Sequence, residues 1–324
     1  MAERTGRALV LAPMRGPGWD QLNELTDVVY EPAGVRRGPA ELARGLAELG
    51  ATILVAGEDD EVAGPVLDHP LELVAVTGDP GNVDVETATA RGIPVLCTAG
   101  HDADAVAELT VALLFAVVRG VVTADRAVRE GRAAGEGPGV VEGSAGRRPA
   151  WQLAGRTFGI VGLGAVGRAV WWRMDGLGMR VIACDPYAEG ATHKLPELLN
   201  VADVVSLHAT LTEESRGMIG ARQFEIMKDG AVFLNTARAG LHDTGALVGA
   251  LASGHLTGAG LDLAVEPTHP LAGLPNVVLT PHIGAETADA EADRALAVAE
   301  DLGRLRRGEP LLHCLNPGIS GRAH

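Results

Sequence analysis

Lysine is nearly missing from this sequence. Two, Lys194 and Lys228, stand among 27 basic residues, and 42 acidic residues outnumber them to give a formal net charge of −15. A surface of that balance argues against nucleic acid and against an anionic membrane as partners, because both need a basic face. With abundant alanine and glycine, the arginine bias reads as a property of the coding sequence. Cysteine is also scarce. The three, Cys97, Cys184 and Cys314, are odd in number, scattered and never spaced C-x-x-C. That argues against a disulfide framework and a zinc cluster, so no metal is expected and a reducing cytoplasm suits the chain. Long hydrophobic runs are lacking too. The apolar stretch 109–118 is closed off by Glu108 and Arg119, and a membrane span needs about 20 residues. The start, MAERTGRALVLAPM, is charged and has no apolar core of a targeting signal.

What is present is an α/β pattern. The 324 residues are 47% hydrophobic and 21% charged, an ordinary globular balance with room for about two domains. Apolar runs at 8–11, 52–55, 73–76 and 94–96 predict buried strands, with helices over 39–49 and 58–67 between them. A long apolar helix is expected over 102–118. The Gly-, Ala- and charge-rich stretch 121–150 then predicts an exposed linker, or an arm reaching a partner subunit. A second series follows, with strands at 157–161, 180–184, 204–207, 231–234, 260–263 and 277–279. Helices are expected at 165–177, 198–202, 221–227 and 244–253. A last helix spans about 287–307, stopped near Gly308. Short strands separated by helical segments imply βαβ units and parallel sheets.

Residues 158–167 read FGIVGLGAVG. Gly162, Gly164 and Gly167 fit G-x-G-x-x-G, here in its required place between an apolar strand and a helix. Gly162 permits the tight turn, Gly164 lets backbone approach a pyrophosphate, and Gly167 seats the helix on the sheet. The N–H groups of Ala165 and Val166 then face the phosphates at the helix N-terminus. The next strand ends in Asp185, where a carboxylate accepts from ribose hydroxyls and repels a 2′-phosphate. NAD is therefore the expected cofactor. Trp171 and Trp172 on the following helix are read as packing residues.

Three later segments place reactive side chains at strand ends. NTARAG (235–240) carries Arg238, LDLAVEP (261–267) carries Asp262 and Glu266, and LTPHIG (279–284) carries His282. Singly, each has an ordinary reading as a surface, turn or structural residue. Together in one nucleotide-binding series they mark a site, since ligands of open α/β sheets sit outside the carboxyl ends of strands. The blocks NVDVETATARGIPV (82–95), DADAVAELTVALL (102–114), LAGRTFGIVGLGAVGRAV (153–170), VSLHATLTEESRGMI (205–219), FLNTARAGLHD (233–243) and LPNVVLTPHIGAET (274–287) occur in order. The chain resembles the D-isomer-specific 2-hydroxyacid dehydrogenases, which include phosphoglycerate dehydrogenase and glyoxylate/hydroxypyruvate reductases.

That resemblance implies two doubly wound parallel-sheet domains, Rossmann-like and flavodoxin-like. The cofactor domain (100–286) is inserted into a substrate domain (1–99 and 287–324), and the family pattern is a homodimer. It implies that Arg238 grips the carboxylate and carbonyl oxygen of a 2-keto acid, that His282 is the general acid/base, and that Glu266 hydrogen-bonds the histidine. Asp262 falls near the nicotinamide carboxamide. His208, Thr236, Ala237, Arg238, His282 and Gly284 join the glycine motif as cofactor contacts. Thr77, Gly78, Asp79, Asp102, Arg238 and His282 are the expected substrate contacts. As an alternative, the resemblance admits an NAD(H)-binding regulatory protein, co-repressor-like, without significant turnover, against which the net charge of −15 speaks.

The sequence also departs from that family. Its substrate loop reads TGDPGNVD (77–84), where the family has a pattern like G-x-G-x-D-N-[IV]-D. Asp102 stands where an asparagine is usual. The family's early strand often ends in an arginine that helps phosphate recognition; here the strand runs into Ala56, Gly57, Glu58, Asp59 and Asp60. A non-phosphorylated 2-keto acid is expected.

Overall fold

ILVA (Ile53–Ala56) and LVAV (Leu73–Val76) are apolar at every position, and every residue in them is buried. That is how parallel strands covered on both faces read. The computed structural model describes residues 4–31, 37–57, 59–78, 80–131, 150–263, 266 and 268–319. The chain divides into two compact units. The first takes Met1–Asp102 with Glu286–His324, and the second takes Ala103–Ala285.

The first unit runs β1 (Arg7–Val10), α1 (Gly16–Leu25), β2 (Asp27–Tyr30), α2 (Pro39–Leu49), β3 (Ile53–Ala56), β4 (Leu73–Val76), α3 (Val85–Ala90) and β5 (Val95–Cys97). Its sheet has the order β2-β1-β3-β4-β5 with all neighbours parallel, the flavodoxin-like winding. Alternate residues feed two cores. Leu54 and Val74 face Leu42 and Leu46 of α2. Ile53, Val55 and Leu73 face Leu22 of α1 and Ala295, Val298 and Leu302 of the last helix.

Within the second unit come α4 (Ala103–Arg119), α5 (Val121–Arg129), β6 (Thr157–Val161), α6 (Ala165–Gly176), β7 (Arg180–Cys184), α7 (Leu195–Val201) and β8 (Val204–Leu207). Then follow α8 (Ala221–Ile226), β9 (Val232–Asn235), α9 (Thr244–Ala252), β10 (Gly258–Asp262) and β11 (Val277–Thr280). The six strands lie in the order β11-β10-β9-β8-β6-β7, all parallel. The winding reverses at β6. β7 lies on one side of it and β8 on the other, so the loops after β6 and β8 flank the crevice where such sheets bind ligands. The chain then returns to the first unit through α10 (Ala288–Arg307), capped by Thr287 at one end and by left-handed Gly308 at the other.

After α10 the chain runs back along β5. Leu96 and Cys314 form an antiparallel bridge, and Leu315 N–H donates to the Val95 carbonyl. Asp301, fully buried, accepts from the N–H groups of Leu312 and His313 and so ties this tail to α10. The tail covers a strand edge that would otherwise be open for pairing.

Three expectations need correction. The helix expected over 58–67 is not formed. Val62 bridges to Val83, Gly64 takes a φ of +52°, and only the 3₁₀ turn Gly64–Val66 remains. The stretch 121–150 is not all linker, because α5 occupies its first part; residues 132–149 lie outside the described residues. Trp171 packs on the unit's core, but Trp172 is 74% exposed. Strand β2 and helix α1, which carry few strong apolar signals, add to the expected series. Among the described residues no single helix is long and apolar enough to cross a membrane. Only α4 and α5 taken together pass by length and composition, and they are bent by 64° at their junction.

Candidate active site

The turn after β6 explains its three glycines one at a time. Gly162 has φ +95°, and a Cβ there would lie 2.5 Å from the backbone nitrogen of Ala209. A Cβ on Gly167 would lie 2.1 Å from the Gly162 carbonyl oxygen, so helix and turn touch only because the residue is glycine. Gly164 differs. A Cβ there meets nothing within 4 Å. No side chain caps α6, which begins with Ala165, Val166 and Gly167. Its first N–H groups are left for an anion, which the helix dipole favours.

Asp185, at the end of β7, folds back over this turn. One carboxylate oxygen accepts from Leu163 N–H at 2.7 Å and the other from Tyr187 and Ala188 N–H at 2.8 and 3.1 Å. Burial works against the charge, but these three donors and Arg168 outweigh it and hold the carboxyl below its ordinary range. His208 follows β8. Its Nε2 meets Ser206 Oγ at 2.8 Å. Its buried Nδ1 has no hydrogen-bond partner among the described residues. Burial pushes this imidazole down to about 3, so it is neutral. An uncapped helix start, an open face at Gly164, an ionised Asp185 and an orphaned imidazole nitrogen together fit a dinucleotide.

Arg238 is positioned by Asn235, the fully buried last residue of β9. The Asn235 amide donates to the Arg238 carbonyl at 2.9 Å and to His242 Nδ1 at 3.0 Å, while its oxygen accepts from Ala237 N–H at 2.9 Å. Thr236 meets Thr110 of α4, hydroxyl to hydroxyl, at 2.8 Å. His242 is 5% exposed, and burial is the main cause that pushes its ring down to about 4. A neutral ring can accept at Nδ1, which the Asn235 amide requires. Asn235, His242, Ser206 and Thr110 were all missed from sequence. Their signal was position alone, at or beside strand ends next to the motif.

Asp262 organises the turn that carries His282. It is 1% exposed, and its carboxylate accepts from Thr280 Oγ1 (2.6 Å), Ile283 N–H (2.9 Å) and Gly284 N–H (2.7 Å). His282 has φ +60° and is the one non-glycine residue of positive φ among those described. Such a conformation persists when the surroundings over-determine it and is typical of functional sites. His282 Nδ1 lies 3.3 Å from the Asp262 carbonyl oxygen, which assigns the proton to Nδ1 because a carbonyl only accepts. Glu266 is exposed and lies between β10 and β11.

The expected substrate residues of the first unit stand at the end of β4. Thr77 and Gly78 are buried, and the N–H and Oγ1 of Thr77 reach the Ala56 carbonyl at 3.2 and 3.4 Å. Asp102 lies 3.9 Å from the guanidinium of Arg294, a 7% exposed residue of α10 that sequence reading passed over. Asp79 lies outside the described residues.

Residues 111–284 match the sequence profile of the D-isomer specific 2-hydroxyacid dehydrogenase NAD-binding domain. Curated relatives include the glyoxylate reductase of Thermococcus litoralis, 40% identical over 243 residues that cover 70% of this chain and 71% of that one. The D-3-phosphoglycerate dehydrogenase of Archaeoglobus fulgidus is 37% identical over 247 residues, 72% of this chain and only 45% of the relative's length. Among solved structures, a Thermus thermophilus protein superposes with a TM-score of 0.85 at 36% identity, covering 95% of this chain and 99% of its own. The Ala103–Ala285 unit is thus an NAD-binding domain.

Proposed function

The chain belongs to the D-isomer-specific 2-hydroxyacid dehydrogenase family, and from that premise we propose that it interconverts a non-phosphorylated 2-keto acid and the D-2-hydroxy acid. The observation that carries the reading is the pair Arg238 and His282. Both stand at carboxyl ends of strands in the sheet that holds the dinucleotide cradle, and each is braced by buried partners. In this reading Gly162, Gly164, Ala165, Val166 and Gly167 hold the pyrophosphate and Asp185 the adenosine ribose. His208, Thr236, Ala237, Asp262 and Gly284 surround the nicotinamide end. The bound cofactor supplies or accepts a hydride equivalent at the substrate's C2.

The protein's own residues do the rest. Arg238 offers a planar fork to the substrate carboxylate and polarises the neighbouring C=O. Reduction leaves negative charge on that oxygen, and His282 Nε2 delivers the proton; in oxidation the same nitrogen takes the hydroxyl proton. Glu266 is assigned the support of the imidazolium. The main chain of Thr77 and Gly78, with Asp79 and Asp102, is assigned to the substrate. Gly57, Asp59 and Asp60 follow β3, and Asp60 is held neutral over a wider range than usual because burial raises it. A loop of that character suits no phosphate.

A second copy of the chain is assigned to the second unit, where Trp172, Val121, Val122 and Val128 are exposed, and the absence of a disulfide at Cys97, Cys184 and Cys314 suits a cytoplasmic setting. The test is NADH oxidation against glyoxylate, pyruvate, hydroxypyruvate and phosphohydroxypyruvate. Turnover of a simple 2-keto acid, lost in His282→Ala while NADH still binds, is the expected result. Phosphohydroxypyruvate turned over as well as the others would overturn the substrate assignment.

A further inference from the structure

Two side chains that no role described so far requires hold the carbonyls on either side of the Gly78 Cα. Arg294 Nη1 donates to the Thr77 carbonyl oxygen at 3.5 Å. The Cys97 thiol donates to the Gly78 carbonyl oxygen at 3.2 Å. Arg294 is 7% exposed on α10 and has the Asp102 carboxylate 3.9 Å away. A guanidinium is seldom buried unless a carboxylate and acceptors meet it. Asp102 and the Thr77 carbonyl are among those partners here.

The consequence is geometric. The peptide bonds here are trans, and a trans peptide carries its C=O and the next N–H on opposite edges. Fixing the Thr77 carbonyl toward Arg294 therefore turns the Gly78 N–H the other way. Gly78 is buried, and its N–H makes no hydrogen bond among the described residues. Buried N–H groups without a partner are rare, and each calls for an explanation. An anionic group of a ligand supplies one.

We propose that Arg294 and Cys97 are positioning residues: Arg294 fixes the Thr77–Gly78 peptide and Cys97 the carbonyl that follows it, so that the Gly78 N–H faces the substrate carboxylate, with Asp102 as the counter-charge that fixes Arg294. This rests on the reading of 77–78 as substrate main chain. It makes the affinity of the loop depend on α10 and on one thiol, neither of which touches the substrate.

The experiment is steady-state reduction of glyoxylate at saturating NADH, with peptide-resolved amide exchange over the 77–84 segment. Arg294→Met would strand Asp102, which is itself assigned to the substrate, so Arg294→Lys, which keeps a positive charge against Asp102 and gives up the guanidinium fork, is used beside Cys97→Ala and Cys97→Ser. A contact that binds ground and transition states alike changes KM and leaves kcat alone. Arg294→Lys and Cys97→Ala should therefore raise KM by about three- to tenfold, with kcat within about twofold. Cys97→Ser keeps a donor and should return KM close to wild type. NADH affinity should not move, and exchange at 77–84 should quicken only in the first two variants. A fall in thermal stability with KM and exchange unchanged would mean a merely structural role and overturns the proposal. If the wild-type protein reduces no 2-keto acid, the substrate reading fails. Exchange then judges the positioning alone, and unaltered exchange at 77–84 overturns it.

Discussion

Asp262 spends its whole carboxylate on the turn that presents His282. Three donors converge on its two oxygens, and its main-chain carbonyl takes the imidazole N–H. Those bonds offset the cost of a left-handed histidine, of order 1–3 kcal/mol. Asparagine at this position would set an NH₂ group against N–H donors, since it has a single acceptor oxygen. We expect Asp262→Asn to lose about 1–3 kcal/mol of stability. We expect kcat to fall by about 10²-fold, because the acid/base nitrogen moves by a fraction of an ångström to an ångström. Steady-state kinetics and denaturant unfolding check both. An unchanged kcat would show that the turn is set by the chain alone. Asn235 plays the corresponding part for Arg238, and its amide orientation is settled by two acceptors, the Arg238 carbonyl and a neutral His242.

At the level of elements, the β6–α6 turn separates folding from binding among glycines that look alike in sequence. Gly162 and Gly167 are fixed by the protein's own backbone, while Gly164 faces open space. Gly164→Ala should fold with an unfolding midpoint close to wild type, yet weaken NADH by about tenfold or more, because its methyl enters the pyrophosphate's space. Gly167→Ala should instead cost several kcal/mol, because overpacking against backbone has no cheap relief. Isothermal titration and thermal unfolding of the two variants give opposite patterns, and equal stability losses would refute the distinction. The same turn shows what a sequence conveys. The strand series was legible because buried parallel strands are apolar at every residue, and the motif because turn geometry demands glycine. Helix 58–67 misled because its apolar spacing said nothing of the bridge Val62–Val83 or of Gly64 at positive φ. Residues that brace a site from behind, such as Asn235, Arg294 and Cys97, carry no spacing rule. They become visible only once strand ends and helix faces are placed in space.

For the molecule as a whole, protonation acts unequally along the chain. The two histidines pushed furthest down, His208 to about 3 and His242 to about 4, both lie in the Ala103–Ala285 unit. An unfolded histidine titrates near 6.5. Below that pH the unfolded chain takes up protons that the folded unit refuses, so stability is fully present above about 6.5 and drains away as pH falls. Each histidine contributes about 1.4 kcal/mol per pH unit until its folded value is reached. Asp185 and Asp203, whose carboxyls are held low by hydrogen bonds and by basic neighbours, add stability that is lost only below their unfolded range near 4. Between pH 6.5 and 4 the histidines therefore dominate. Moving from pH 7 to 5 should cost this unit about 3–4 kcal/mol, a large part of the ~5–15 kcal/mol of a typical domain. Amide exchange at the two pH values should show β6, β8 and β9 opening first. His208→Gln with His242→Gln should flatten the pH slope, and a slope unchanged in that double variant would refute the assignment. NADH binds only the folded unit, so at 100 times its Kd it should restore about 2.7 kcal/mol. The acid midpoint should then shift down with cofactor concentration, which ties the stability of this half of the chain to the ligand it holds.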